Sequence, residues 1–397
     1  MAAAAADIQP FLSEAKDTRG TPGNREFDLL LACCAGSSTA EGIRAILSRP
    51  LNWERILALI DHHRVVPQVY GELSRYPHFI PNQYLDALRS RYRDNARKTL
   101  WFTAELIRIV SHLESAGIKS LPYKGPILAQ ILYGEVTQRQ FGDLDILILP
   151  EDVPKAKAAL RKLGYEPTLQ LAPEIESAYI KTGYEYLFRS TNGQNLLELQ
   201  WRIVPSFYSI DFDVVDFLQR ADEIDLGARS TRTLHPEDLL LVLCVHAAKH
   251  VWVQLSWLCD VAQLIKFQDL NWKAIRAKAR SLGIERILTL NLLLAHELLG
   301  SPLPHLPLEQ DSQTTALVEE IASIITRSSH YNTESLSYFR LMMQMRERRQ
   351  DQARFLYRLV STPSVSEWTT MQLPKPLHTL YRLVRLSRLA KRLASAN

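Results

Sequence analysis

The sequence predicts an α+β protein, a small unit of strands and helices set between an N-terminal and a C-terminal helical region. Three observations predict it. Apolar residues recur at three- and four-residue intervals from Phe27 to Leu113 and again from about Phe207 onward. Between these stretches, short runs such as "DLDILIL" and "LLELQW" carry strand alternation. The dipeptide Asn192-Gly193 separates two such runs, where a hairpin turn belongs.

Size and composition set the frame. At 397 residues with 46% hydrophobic content, the chain suits two or three units with real cores. The expected divisions are a leader over 1–26, a helical region over 27–116, an α/β core over 117–206 and a helical domain over 207–397. Lys plus Arg number 47 against 43 Asp plus Glu, so the net charge of +4 does not by itself indicate a nucleic-acid binder. Four cysteines (Cys33, Cys34, Cys244, Cys259) without a CxxC pair predict reduced core thiols and a cytoplasmic setting. "MAAAAADIQP" lacks the features of a signal peptide and reads as a frayed leader, and no apolar run reaches membrane-spanning length.

The elements follow in order. "NWERILALIDHH" begins a helix that Asn52 caps, and "AGIKSLPY" reads as helix stop, turn and strand. Pro126 to Tyr133 is a helix with proline at its first position. "DLDILIL" is the next strand, and "PEDVPKAKAALRKLGY" is a capped amphipathic helix ending at Gly164. "EYLFRST-NG-QNLLELQWRI" forms the hairpin. Helices then return in "PEDLLLVLCVHAAKHVW", "LSWLCDVAQLIKF", "NWKAIRAKARSLG" and "ERILTLNLLLAHELLG".

The chemistry concentrates in two strands. Asp143 and Asp145, two apart on a strand, share a face, while Leu144, Ile146 and Ile148 take the other. Glu198 alternates with Leu197, Leu199 and Trp201 and so also points away from the apolar side. Three carboxylates on neighbouring strands suit hard divalent cations with oxygen ligands, and such metals serve in-line displacement at phosphorus. The predicted cofactor is Mg²⁺, with Mn²⁺ as the alternative. Asp143 and Asp145 would hold metals carrying a triphosphate, and Glu198 would bind the second metal and help deprotonate the attacking hydroxyl. Gly125 lets the backbone approach a phosphate at the start of the following helix, and Lys124 adds charge there. Solvated acids at a strand entrance are the plainer alternative.

"HAAKH" puts His246 and His250 one helical turn apart, but Ala247 replaces the glutamate of a zinc peptidase and no third ligand is evident. Lys249 and His250 either line a cleft between core and helical domain, with Lys249 meeting a phosphate, or lie on the polar edge of a packed helix. Trp201 and Trp257 read as core aromatics. From Lys375 to the end the chain carries Arg382, Arg385, Arg388, Lys391 and Arg392 and no acid, interleaved with leucines. That helix either contacts an anionic surface or docks its leucines on the bundle.

The order "KG…LY…R…GDLDILI…LGY…LELQWR…EDLLLVLCVHAAKH…WLCD" resembles the uncharacterised nucleotidyltransferase family, a branch of the polymerase-beta-like superfamily. The resemblance implies a small mixed sheet with helices, metal ligands Asp143, Asp145 and Glu198, and nucleotidyl transfer from an NTP. It further implies nucleotide contacts from Lys124, Gly125, Arg139, Gly142, Lys249 and His250. Arg139 corresponds to a family arginine that holds a phosphate or pairs with an acid such as Glu135, and Asp260 corresponds to a position that orients a neighbouring Arg or Lys. Acceptors consistent with it are a protein, a peptide, a saccharide or an RNA end. Two departures stand near the expected cleft. Pro126 follows Gly125 where a Gly-Ser or Gly-Gly turn is usual, and Gln200 stands where a histidine is frequent. These departures support the alternative function, a catalytically idle protein that keeps the fold and acts as a binding partner.

Overall fold

Asn52 caps its helix as expected, and Asn24 and Thr39 cap two earlier helices for which the sequence reading names no cap. The computed structural model describes residues 24–36, 39–191, 193, 196–227, 229–304, 311–328, 331–332, 335–363, 367–368 and 381–387. Helices α1 (Arg25–Cys34), α2 (Ala40–Leu47), α3 (Trp53–His63) and α4 (Val66–Leu73) come first. Asn24, Thr39 and Asn52 each accept a hydrogen bond from a first-turn N–H of the helix that follows. Each such cap contributes about 1 kcal/mol. Helix α5 (Asn82–Ser115) has 34 residues and is roughly 50 Å long at 1.5 Å per residue. Its length lets it serve two cores. Leu85 and Leu88 pack among the helical regions, whereas Phe102, Leu106, Ile109 and Leu113 lie against the sheet.

The core unit runs β1 (Ser120–Pro122), α6 (Pro126–Tyr133), β2 (Leu144–Ile148), α7 (Val153–Lys162), β3 (Tyr165–Pro167), α8 (Pro173–Thr182), β4 (Glu185–Ser190) and β5 (Leu196–Gln200). The sheet order is β1-β2-β5-β4-β3; β2 and β5 run parallel and the other three pairs antiparallel, so the expected mixed sheet is present. One face carries Leu144, Ile146, Ile148, Leu197, Leu199, Tyr186 and Phe188 into a core shared with α5, α7 and α8. Burial of each such side chain contributes about 1.5–3 kcal/mol. Trp201 closes this core, edge-on to Tyr179 and with its indole N–H donating to the Ile180 carbonyl at 2.9 Å. It is the core aromatic its pattern predicted.

Two local expectations need correction. The chain between α7 and the hairpin holds β3 and α8, which the sequence reading does not assign; a three-residue strand is too short to show alternation, whereas Pro173 in the first turn of α8 is a helix-start signal that the reading misses. Helix α7 starts without the expected side-chain cap, since Asp152 makes no capping bond there. The hairpin pairs Arg189 with Leu196 and Glu185 with Gln200, and the Gly193 N–H donates to the Ser190 carbonyl at 2.8 Å; Asn192 of the expected turn lies outside the described residues.

The C-terminal side begins with α9 (Val214–Arg220) and then a second hairpin, β6 (Asp222–Leu226) with β7 (Arg229–Thr233). That hairpin corrects the reading of continuous helix from Phe207. Its burial signal is weak because most of its side chains are polar, with only Leu226, Thr231 and Thr233 fully buried. Helices α10 (Pro236–Lys249), α11 (Leu255–Phe267), α12 (Trp272–Leu282), α13 (Glu285–Leu299), α14 (Ser312–Arg327), α15 (Leu336–Gln344) and α16 (Arg349–Ser361) follow. Leu239 to Val245 of α10 are all buried, and with Leu121, Tyr123 and Leu147 they join the second face of the sheet to the helical core. The four cysteines are free and buried. No described helix is long and apolar enough to cross a membrane.

Of the basic tail, the described part (381–387) buries Tyr381 and Arg385 and exposes Leu383 and Leu386, the reverse of a helix docking through its leucines. Arg385 reaches Glu367 at 3.3 Å, and Arg382 is exposed. Lys375, Arg388, Lys391 and Arg392 lie outside the described residues, as do residues 1–23 of the leader.

Candidate active site

The parallel pairing of β2 with β5 sets Asp145 directly opposite Glu198. Neighbours in register share a face, so the second face of the sheet carries Asp145, Glu198 and Gln200. Asp143 lies one residue before β2 and is half-buried. Burial and the nearby Asp145 push its carboxyl up, against the pull of Lys124, Arg64 and Arg139. Burial, with Asp145 and Glu185, pushes the Glu198 carboxyl up to about 9. Crowded acids of this kind lack positive charge.

Two side chains meet part of that need. Lys124, just after β1, donates from Nζ to Asp145 Oδ1 at 2.8 Å. Burial opposes its charge, but Asp145, Tyr123 and Glu198 outweigh burial and hold it above the ordinary lysine range. Gln200 donates from Nε2 to Glu198 Oε2 at 2.9 Å and to Asp145 Oδ1 at 3.3 Å. The Tyr123 hydroxyl donates to Gln200 Oε1 and thereby fixes which end of the amide faces the acids. A neutral amide thus bridges two carboxylates.

Backbone shape explains the approach. Gly125 has φ +58° and ψ −127°, and a Cβ there would lie 3.2 Å from the Asp143 carbonyl oxygen. Only glycine takes this conformation at this spacing. Helix α6 starts immediately afterwards, with Pro126 in its first turn.

The remaining predicted residues divide. Arg139 turns to Asp260 of α11, with Nε and Nη2 donating at 2.9 and 2.8 Å, and both residues are buried. Its partner is Asp260 rather than Glu135, whose carboxylate accepts from Thr137 instead. Lys249 lies 5.1 Å over the Tyr184 ring; burial lowers its pKa, and Glu185 opposes that shift. His246 and His250 pack against each other and against the half-buried Trp257 with tilted or edge-on rings 4.8–5.3 Å apart, and burial holds both imidazoles well below the ordinary histidine range. Among the described residues no three His, Cys, Asp or Glu side chains converge as a metal-ligand cluster, and this includes the His246–His250 pair.

Several contributors escaped the sequence reading. Glu185 lies opposite Gln200 on the acid-bearing face, and burial raises its carboxyl while Lys249 lowers it. Counting pairs back from Asn192-Gly193 would have found it. Tyr123, Arg64 and Lys98 carry no motif, and only the packing of elements distant in sequence brings them here.

Residues 49–300 match the family described as uncharacterised nucleotidyltransferase. The chain belongs to that family. The matched span holds every candidate residue named above and both departures at Pro126 and Gln200. Among solved structures, the antibiotic-resistance factor ANT(2'')-Ia aligns at 16% identity and TM-score 0.35, over 46% of this chain and 92% of that one. Among curated proteins, no sequence matches.

Proposed function

We propose that the protein is a metal-dependent nucleotidyltransferase that moves an NMP from an NTP to a hydroxyl or phosphate of an acceptor. The observation that carries this reading is Asp145 in register with Glu198, with Asp143 two residues upstream, inside a nucleotidyltransferase family match. The donor set fits Mg²⁺ or Mn²⁺ by its chemistry, since Asp143, Asp145 and Glu198 offer only carboxylate oxygens. Asp143, Asp145 and Glu198 would hold the metal, which when bound supplies positive charge to phosphoryl oxygens.

The chain's own groups account for the rest. The acceptor oxygen attacks the α-phosphorus in line, the bond to the β-phosphate oxygen breaks, and pyrophosphate leaves with the electron pair. Glu198 would take the acceptor proton on Oε1, the oxygen to which Gln200 does not donate, once its raised carboxyl returns to the ionised form under the positive charge of the bound metal. Lys124, which stands 2.8 Å from Asp145, would turn its ammonium to a phosphate of the donor. Tyr123 and Gln200 keep Asp145 and Glu198 from swinging apart.

A second reading, a binding protein of this fold without turnover, is favoured by the ion pair of Lys124 with Asp145 and the lack of a converged ligand cluster among the described residues. One experiment separates them. Each NTP is titrated calorimetrically into the protein with Mg²⁺ or with chelator, alongside the Asp143→Asn, Asp145→Asn double variant. Metal-dependent binding that the variant loses, measured where circular dichroism shows it folded, is the expected result, because losing the buried partner of Lys124 also lowers the melting temperature. Undiminished transfer of label from an α-labelled NTP by the variant would end the assignment.

A further inference from the structure

The helices that precede the core do more than pack beside it; they hold the segment leading into β2. Gln140 Oε1 accepts from the Val66 N–H at 3.0 Å, and Gln68 Nε2 donates to the Gln138 carbonyl at 2.9 Å. On α5, Asn95 Nδ2 donates to the Thr137 carbonyl at 3.0 Å and the Arg139 carbonyl at 3.5 Å. Asn95 is buried, so this tether is shielded from water. The position of residues 137–143 is therefore set by α4 and α5.

Two cations come with these helices. Lys98 follows Asn95 by one turn of α5, and its Nζ lies 3.6 Å from where a Cβ on Gly142 would stand. It rests 5.7 Å over the Phe102 ring, which is edge-on to Phe141. Arg64 is the left-handed residue that ends α3, at φ 54° and ψ 48°, two residues before the Val66 tether. Its charge acts on Asp143, Lys98 and His250. Among the described residues neither side chain has an ion-pair or hydrogen-bonding partner. Their neighbours on the same helices do: Arg91 pairs with Asp61, and Arg97 with Asp94.

Two unpaired cations therefore flank the strand entrance that Gly125 touches. The turn there offers a phosphate only backbone N–H groups, since Gly125 has no side chain and Pro126 has no N–H. We propose that Arg64 and Lys98 supply the missing grip, binding the β- and γ-phosphates of the donor triphosphate from the N-terminal helical region. This rests on the nucleotidyltransferase reading. It makes those helices part of the donor site, and it explains how a Gly-Pro turn serves where a hydroxyl is usual. A guanidinium and an ammonium are the groups that bind phosphate oxygens by charge-assisted bonds.

The test uses the full chain with Mg²⁺ and four variants: Lys98→Gln, Lys98→Arg, Arg64→Asn and the Lys98→Gln, Arg64→Asn double. Asparagine tolerates the left-handed backbone at residue 64. Affinities for NTP, the corresponding NMP and inorganic tripolyphosphate are measured by calorimetry. Each neutral variant is expected to weaken NTP and tripolyphosphate binding roughly tenfold, the double roughly a hundredfold, with NMP affinity and melting temperature unchanged. Lys98→Arg keeps most of the affinity. If the wild type binds NTP and the double variant binds it equally well, the grip is refuted while the function stands. An equal loss of NMP affinity refutes it too, by placing both groups elsewhere on the nucleotide. If the wild type binds neither NTP nor tripolyphosphate, the functional reading falls and the grip with it.

Discussion

Substitution of Asp260 by asparagine probes the link that joins the approach to β2 with α11. Arg139 and Asp260 are 7% and 1% exposed and share two hydrogen bonds of 2.9 and 2.8 Å. Asparagine keeps the volume but removes the charge, and it leaves a guanidinium buried with no anion. Breaking a buried pair from one side costs about 3–5 kcal/mol, because the desolvation of the surviving ion is no longer offset. With a urea slope of about 3 kcal/mol/M, the unfolding midpoint should fall by about 1–1.7 M at constant slope. The double variant Arg139→Met, Asp260→Leu should recover most of that loss, because no buried charge remains. A drop below about 0.3 M for Asp260→Asn would show that water reaches the pair and that the link is weak. Recovery by the double variant separates the charge effect from a packing effect.

Three other outcomes are expected. His63 is buried, accepts the Leu255 N–H on Nδ1 at 3.2 Å and so donates from Nε2 to Ser328 at 2.8 Å. Burial, with His62, lowers its pKa to about 3, while the unfolded chain keeps about 6.5. The unfolded state therefore binds the extra proton, and stability complete above pH 6.5 is lost as pH falls toward 3, by about 2 kcal/mol at pH 5. Thermal melts should show that slope in the wild type, and an unchanged slope in His63→Gln would count against it. Gly125→Ala should cost about 1–3 kcal/mol from positive-φ strain and displace Asp143, read as a lower melting temperature with weaker metal-dependent NTP binding. Gln200→Leu strips a donor from Glu198 and leaves the buried Tyr123 hydroxyl without its acceptor, at about 1–3 kcal/mol. Tyr123→Phe in that background should restore part of the loss, and a double variant less stable than the single would contradict the network.

What the chain reveals unaided is local and periodic. Alternation in "DLDILIL" and "LLELQW" separates acids from apolar residues because strand side chains have a period of two. Asn52 and the helix from Pro126 to Tyr133 were equally legible, since caps and proline positions act within one turn. Elements whose patterns are too short or too polar stayed hidden, namely β3 and the β6–β7 hairpin. The partner of Arg139 was also illegible: Glu135 is four residues away and Asp260 is 121, and nothing local favours the distant acid. The same holds for Arg64, at the end of α3, and Lys98, within α5, which carry no local signal until α4 and α5 tether residues 137–140. The sequence by itself therefore determined which residue types face together on each strand. Which strands adjoin, which acid takes which cation, and which charges remain unpaired were decided by tertiary packing, because burial and Coulomb interaction depend on distance in space and not along the chain.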